Sequence, residues 1–237
     1  MRDYIVIDLE MTGLNPKRDA VLEVGAVKIR GKKRVEELNF FVNPGCAIRQ
    51  EVTALTGITE GMVQSGITAQ EAIRRVAEFT EGEILVGHNV IFDYSFLKQL
   101  AVNERIGFER KAVDTLKLAR RFLQEPQKKT LDSLCEYFGI RRARSHRAFE
   151  DALATQELYE LLEQQYFDAD EAAFEPKPLL YKPKRQTPAT FAQKKHLKEL
   201  LDYHKIEAGV SPDELTRSEA SRRIDKILLE YGRIPKR

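Results

Sequence analysis

The run Tyr4-Ile5-Val6-Ile7-Asp8-Leu9 is apolar apart from one carboxylate, and Glu10 follows it directly. Such a run reads as a buried strand. Gly13-Leu14-Asn15-Pro16 then supplies turn chemistry. Two further strand-like runs, 21–30 and 34–42, are broken by Gly31-Lys32-Lys33, and a three-stranded meander is the simplest arrangement. Ala72, Ile73, Val76, Ala77 and Phe79 recur at helical spacing, which predicts a helix over 69–81. Residues 83–87 read as a short buried strand, 92–102 as a helix and 112–114 as another short strand. Three helical stretches follow near 115–124, 130–138 and 148–166. Alternation of strand and helix over the first ~170 residues is the pattern of an α/β domain.

The pattern then breaks. Four prolines fall in residues 176–188, interleaved with Lys177, Lys182, Lys184 and Arg185. Basic, proline-rich composition of this kind predicts a semi-extended linker over 169–188. Beyond it, 189–205 and 216–231 read as two helices, the second opened by a capping box of Thr216 and Glu219. The expected organisation is an α/β domain over 1–168, the linker, and a small basic helical module over 189–237.

Charge sharpens this division. The chain of 237 residues carries a net charge of only +2. Residues 176–237 hold 15 Lys+Arg against 8 Asp+Glu, leaving the remainder with a surplus of acid. An acidic domain joined to a basic module suits a polyanionic partner, with a solubilising tail as the plain alternative. No run of eighteen apolar residues occurs, so no membrane span is expected. The first strand begins too early to leave room for a signal peptide, and Cys46 and Cys135 show no metal spacing. A cytoplasmic protein with reduced thiols is the expectation.

On a strand, Asp8 and Glu10 project from the same face. Two adjacent carboxylates repel, and each is driven toward protonation unless a cation neutralises it. Hard divalent ions such as Mg²⁺ or Mn²⁺ favour oxygen ligands of this kind. Taken singly, Asp8, Asp93 or His146 would pass for an ordinary surface residue.

Together they carry a resemblance. Asp8-Leu9-Glu10-Met11-Thr12-Gly13, Gly87-His88-Asn89-Val90-Ile91-Phe92-Asp93 and His146-Arg147-Ala148-Phe149-Glu150-Asp151-Ala152 resemble the three motifs of the DEDDh 3′→5′ exonucleases. Residues 53–59 and 131–135 also resemble segments of the bacterial polymerase III proofreading type. The resemblance covers roughly residues 3–165 and implies a ribonuclease H-like fold, a mixed sheet flanked by helices.

It further implies hydrolysis of phosphodiester bonds at single-stranded 3′ ends. Asp8, Glu10, Asp93 and Asp151 would ligate two divalent ions, Mg²⁺ or Mn²⁺. His146 would take the proton of the attacking water, a task suited to an imidazole titrating near ~6.5. Met11, Thr12, Leu14, His88, Asn89 and Phe92 would meet the substrate, with Leu14 or Phe92 as an apolar wedge. The basic loop of Arg141, Arg142, Arg144 and Arg147 could steer phosphates toward His146. Lys194, Lys195, Lys198, Arg222 and Arg223 could tether nucleic acid without sequence preference. DNA is favoured, with a polymerase or another replication or repair protein as partner class. RNA stays open because Asp8–Leu14 also resembles oligoribonucleases. A catalytically silent binding scaffold is the remaining alternative, although no motif residue is missing.

Overall fold

The computed structural model describes residues 3–206, 211–213 and 215–234, without the side chains of Ser218 and Arg222. These fall into two compact units, 1–183 and 184–237. In the first, β1 (Tyr4–Met11), β2 (Val21–Arg30) and β3 (Lys33–Asn43) form the antiparallel meander expected from the sequence. β4 (Ile67–Thr68) adds in parallel to β3. On the other side of β1, β5 (Ile84–Gly87) and β6 (Lys111–Asp114) run parallel to it, and the short β7 (Lys177–Pro178) closes the edge antiparallel to β6. The resulting order is β4-β3-β2-β1-β5-β6-β7, a mixed sheet with β1 at its centre.

β1 is central because both its faces are apolar, as expected for a strand covered on two sides. Ile5, Ile7 and Leu9 join a core with Ile73 and Val76 of α3 (Ala69–Phe79) and Tyr94 and Leu97 of α4 (Val90–Glu104). Tyr4 and Val6 join the opposite core with Ala152, Leu158 and Leu162 of α7 (Ala148–Tyr166). Asp8 and Glu10 continue the row of Tyr4 and Val6, so they emerge on the side covered by α7. α5 (Thr115–Phe122) and α6 (Leu131–Phe138) lie in the chain between β6 and α7.

Gly25 sets how closely α7 meets the sheet. A Cβ there would run into the backbone of Ala148 and Phe149, so only glycine lets the first turn of the helix rest on β2. The same junction is locked by Glu23, only 1% exposed, which accepts from the Ala148 N–H at 3.1 Å and from Arg147 Nη2 at 2.7 Å. This contact fixes the start of the helix that carries Asp151.

Two helices, α1 (Gln50–Thr56) and α2 (Glu60–Gln64), were not expected from the sequence pattern. The proline-rich segment is also only partly linker-like. Residues Glu171–Phe174 form a 3₁₀ turn whose Phe174 is buried beside Phe122 and Tyr159, and Lys177–Pro178 pairs with the sheet. Extended, proline-bearing chain is compatible with an edge strand, and the aromatic anchor holds it there.

In the second unit, α8 (Phe191–His204) and α9 (Arg217–Tyr231) form a hairpin around Leu197, Leu200, Leu201, Ala220 and Ile227. Both helices open with complete capping boxes, Thr190 with Gln193 and Thr216 with Glu219. No helix among the described residues is long and apolar enough to cross a membrane.

The Gly25 contact yields a test. Gly25→Ala is expected to destabilise the protein by about 1–3 kcal/mol through overpacking. Urea denaturation measures this, and wild-type stability would show that α7 can move away at no cost.

Candidate active site

The site sits at the carboxyl end of β1, where strand direction changes between β2 on one side and β5 on the other. In open α/β sheets such a position forms a crevice. Here it is a cleft of about 660 Å³ lined by Asp8, Glu10, Asp93, Asp132, His146 and Asp151, among others. Three separate stretches of chain therefore deliver the five residues singled out from sequence to one place.

Each carboxylate is held differently. Asp8 and Glu10 follow from the alternation of β1. Asp93 lies in the first turn of α4 and is buried, its Oδ1 accepting the Leu9 N–H at 3.1 Å. That bond crosses from helix to strand and places Asp93 beside the pair. Asp151 lies in the first turn of α7 and has donors at both oxygens. Arg142 Nη1 is 2.6 Å from Oδ1, and the His146 N–H is 3.1 Å from Oδ2. His146 takes a left-handed backbone, φ 57°, as it turns into this contact.

The electrostatics follow from crowding. Burial raises the pKa of Asp8 well above the ordinary carboxylate range, and Asp93, Asp151 and Glu10 add to it. Burial, then Asp151, Glu23 and Asp93, push Glu10 up to about 8, with Arg147 opposing. Asp93 and Asp151 are raised by burial too, opposed by backbone N–H groups in the first case and chiefly by Arg142 in the second. Such a set takes up either protons or cations. Ligand atoms of Glu10, His146 and Asp151 all lie within 4.8 Å of one another, so these three residues could hold a metal ion. Oxygen donors with one imidazole fit a hard divalent ion.

The other expected residues divide. Met11, Leu14, His88 and Phe92 line the cleft, Leu14 being 81% exposed. His88 is nevertheless engaged by protein at both ring nitrogens, Nε2 donating to the Lys129 carbonyl at 2.8 Å and Nδ1 lying 2.9 Å from the Thr115 hydroxyl. Burial lowers its pKa, which favours the neutral ring. Thr12 and Asn89 are not among the lining residues. Thr12 is buried, its hydroxyl accepting the Ala20 N–H at 2.9 Å, and this closes the turn after β1. Asn89, left-handed at φ 61°, begins α4 and donates its N–H to Asp114.

Half of the basic loop is committed to protein carboxylates, while Arg141 and Arg144 are exposed. Arg147 is committed to Glu23, and Arg142 bridges Asp151 and Asp132. Two of the four arginines thus anchor carboxylates. Sequence inspection missed Asp132, whose Oδ2 lies 3.8 Å from His146 Nε2, and Arg49, which donates to the Thr12 carbonyl at 2.6 Å. Asp132 did fall within the segment 131–135 noted for its resemblance, but a helix-end acid carries no distinct signal. Of the proposed tether, Lys194 pairs with Asp213 at 2.9 Å, while Lys195 and Lys198 are exposed. Arg223 lies on α9, and the Arg222 side chain is outside the described residues.

A family model described as the RNase T exonuclease family matches residues 5–159. The PolC-type DNA polymerase III of Caldanaerobacter subterraneus subsp. tengcongensis is 41% identical over 157 residues, 66% of this chain and 11% of that protein. The PolC-type polymerase of Thermotoga maritima is 37% identical over 158 residues, with the same coverage. The chain therefore spans about a tenth of the length of these curated relatives. Among solved structures, E. coli Exonuclease I in complex with a dT13 oligonucleotide aligns with TM-score 0.66 at 16% identity, covering 72% of this chain and 43% of that one. Exonuclease X in complex with 5′ overhanging duplex DNA aligns with TM-score 0.55 at 23% identity, covering 68% and 91%. At these identities the two structures establish the fold.

The raised carboxylates predict a pH-dependent response to metal. A carboxylate whose pKa is raised by folding stabilises the fold while protonated. For Glu10 that contribution is complete below its ordinary 4.5 and is lost as pH rises through about 8. A bound cation restores what is lost. Mn²⁺ should therefore raise Tm more at pH 8 than at pH 5.5, as read by scanning fluorimetry, and an equal gain at both would contradict the cluster as the ion's site.

Proposed function

Because the chain belongs to the RNase T exonuclease family, we propose that it is a metal-dependent 3′→5′ exonuclease that shortens single-stranded nucleic acid, with DNA the favoured substrate. One observation carries this reading: the end of β1, the first turns of α4 and α7 and the loop before α7 bring Asp8, Glu10, Asp93, Asp151 and His146 into one cleft. The PolC-type names of the relatives and the DNA in the aligned structures support DNA over RNA.

In this reading Asp8, Glu10, Asp93 and Asp151 would hold two divalent ions, Mg²⁺ or Mn²⁺. Such ions, when bound, supply Lewis-acid stabilisation of charge on the scissile phosphate and the leaving 3′ oxygen. His146 accepts the proton of the attacking water. Asp132, close to its Nε2, steadies the imidazolium that results. Arg142 holds Asp151 in place and keeps Asp132 beside the histidine. Leu14 and Phe92 give the terminal base an apolar surface, with Met11 beside them. The raised pKa of Glu10 favours its protonated form near neutrality, so cation binding there would displace a proton.

The second unit extends the proposal. Lys194, Lys195, Lys198 and Arg223 would hold the strand through its phosphates without sequence preference. A replication or repair protein is the class of partner such an enzyme would serve.

Purified protein should trim 5′-labelled oligonucleotides from the 3′ end with Mg²⁺ or Mn²⁺, and chelator should stop it. His146→Asn keeps a residue that tolerates left-handed backbone. It should lower kcat about 10²–10⁴-fold with Tm little altered. A variant as fast as wild type would sink the assignment. DNA and RNA strands run side by side decide the preference. Truncation after Pro183 leaves β7 in place, and it should weaken binding to long strands and flatten its salt dependence. Identical affinity and slope would remove the second unit from the proposal.

A further inference from the structure

The cleft is strongly acidic. Asp8, Glu10, Glu51, Asp93, Asp132 and Asp151 line it against only Arg49 and Arg142. Both guanidinium groups are already engaged, by the Thr12 carbonyl in one case and by Asp132 and Asp151 in the other. A strand whose terminal phosphodiester enters this cleft brings further phosphates with it, and these find no cation on its walls that is not already occupied.

Beyond one wall the sign changes. His88, Thr130 and Leu131 line both the cleft and a second groove of about 750 Å³. That groove is lined by Arg120, Lys128 and Lys129 and by no carboxylate. Arg120 lies near the end of α5 and Lys128 in the loop leading to α6. Both are exposed, and among the described residues neither takes part in an ion pair. Lys129 fixes the loop instead: its ammonium donates to the carbonyls of Gln124 and Pro126, and its own carbonyl accepts from His88. The imidazole of His88 thus ties the basic loop to the edge of the acidic cleft. This gives a structural reason for a half-buried, neutral histidine at this place.

We propose that this groove is a binding site for the backbone phosphates of the nucleotides upstream of the one being removed, with Arg120 and Lys128 as the principal contacts. The inference rests on the exonuclease reading and adds to it the route of the strand. The ligand class is a single-stranded polynucleotide held through phosphate, so the groove positions the strand without reading its bases. The part of the lining supplied by α1 is a poor route. There Glu51, Val52 and Leu55 line the cleft, and Arg49 is already bonded to Thr12.

The test compares a 12-nucleotide strand with a dinucleotide, which has a single phosphodiester and nothing upstream. In Arg120→Ala/Lys128→Ala, KM for the 12-mer should rise about tenfold, and the dependence of log KM on log salt should flatten by about 1.4, ~0.7 for each lost phosphate contact. The advantage of the 12-mer over the dinucleotide in kcat/KM should shrink by the same tenfold. Arg120→Lys/Lys128→Arg keeps the charges and should restore both readouts, with Tm measured throughout to confirm folding. Unchanged KM and slope in the alanine variant would overturn the groove while leaving the exonuclease reading intact. A charge-conserving variant as impaired as the alanine one would overturn it also, because shape rather than charge would then be at work. If the wild-type protein cleaves neither substrate, the exonuclease reading falls and takes the groove with it.

Discussion

Asp93 and Asp151 both repel Asp8 and Glu10, which also repel one another, and burial removes much of the water that would otherwise screen them. Much of the surrounding architecture is a response to that crowding. The Leu9 N–H serves Asp93, while the His146 N–H and Arg142 serve Asp151. These donors lower the cost of assembling the cluster without cancelling it. Every member is still pushed toward the protonated form, and the site therefore retains an appetite for cations. A fully satisfied cluster would be more stable and would have no such affinity.

The scaffold that imposes the crowding was largely legible in the chain. Alternation in β1 placed Asp8 and Glu10 on one face, apolar spacing marked α3, and the helical stretch expected near 148–166 coincides with α7. The meander followed from two turn signals. Short elements escaped: α1 and α2 have five to seven residues each, too few for a periodicity to register. The segment after α7 looked like a linker because proline and charge dominate it. One aromatic, Phe174, and a few backbone bonds instead dock its first part to the sheet, a long-range effect that local composition does not express.

The candidate site was legible as residue types and much less so as roles. Asp8, Glu10, Asp93, His146 and Asp151 meet in one cleft, as their motifs implied. Thr12 and Asn89 belong to the same motifs, yet they shape the turn and the helix start rather than the cleft wall. A motif records what a segment needs in order to fold as well as what it needs in order to act. Arg142 and Arg147 show the complementary limit. In sequence they are members of a basic loop, and only three-dimensional pairing shows that each is assigned to carboxylates.

That pairing bears on how an acidic site can serve a polyanion. Cations are needed to attract phosphate, but a mobile cation inside the cleft would compete with metal for the same carboxylates. Arg142, which lines the cleft, is shared with Asp132, and Arg147, outside the lining, is held by Glu23, both carboxylates outside the four proposed ligands. Neither can collapse fully onto the cluster. Exposed Arg120 and Lys128 lie instead beyond the wall formed by His88, Thr130 and Leu131. At that remove they can act on a strand's phosphates while solvent weakens their pull on the carboxylates. The charge division first visible between the two ends of the chain thus recurs at short range within the α/β domain, where an acidic cleft that favours cations shares a wall with a basic groove that favours phosphate.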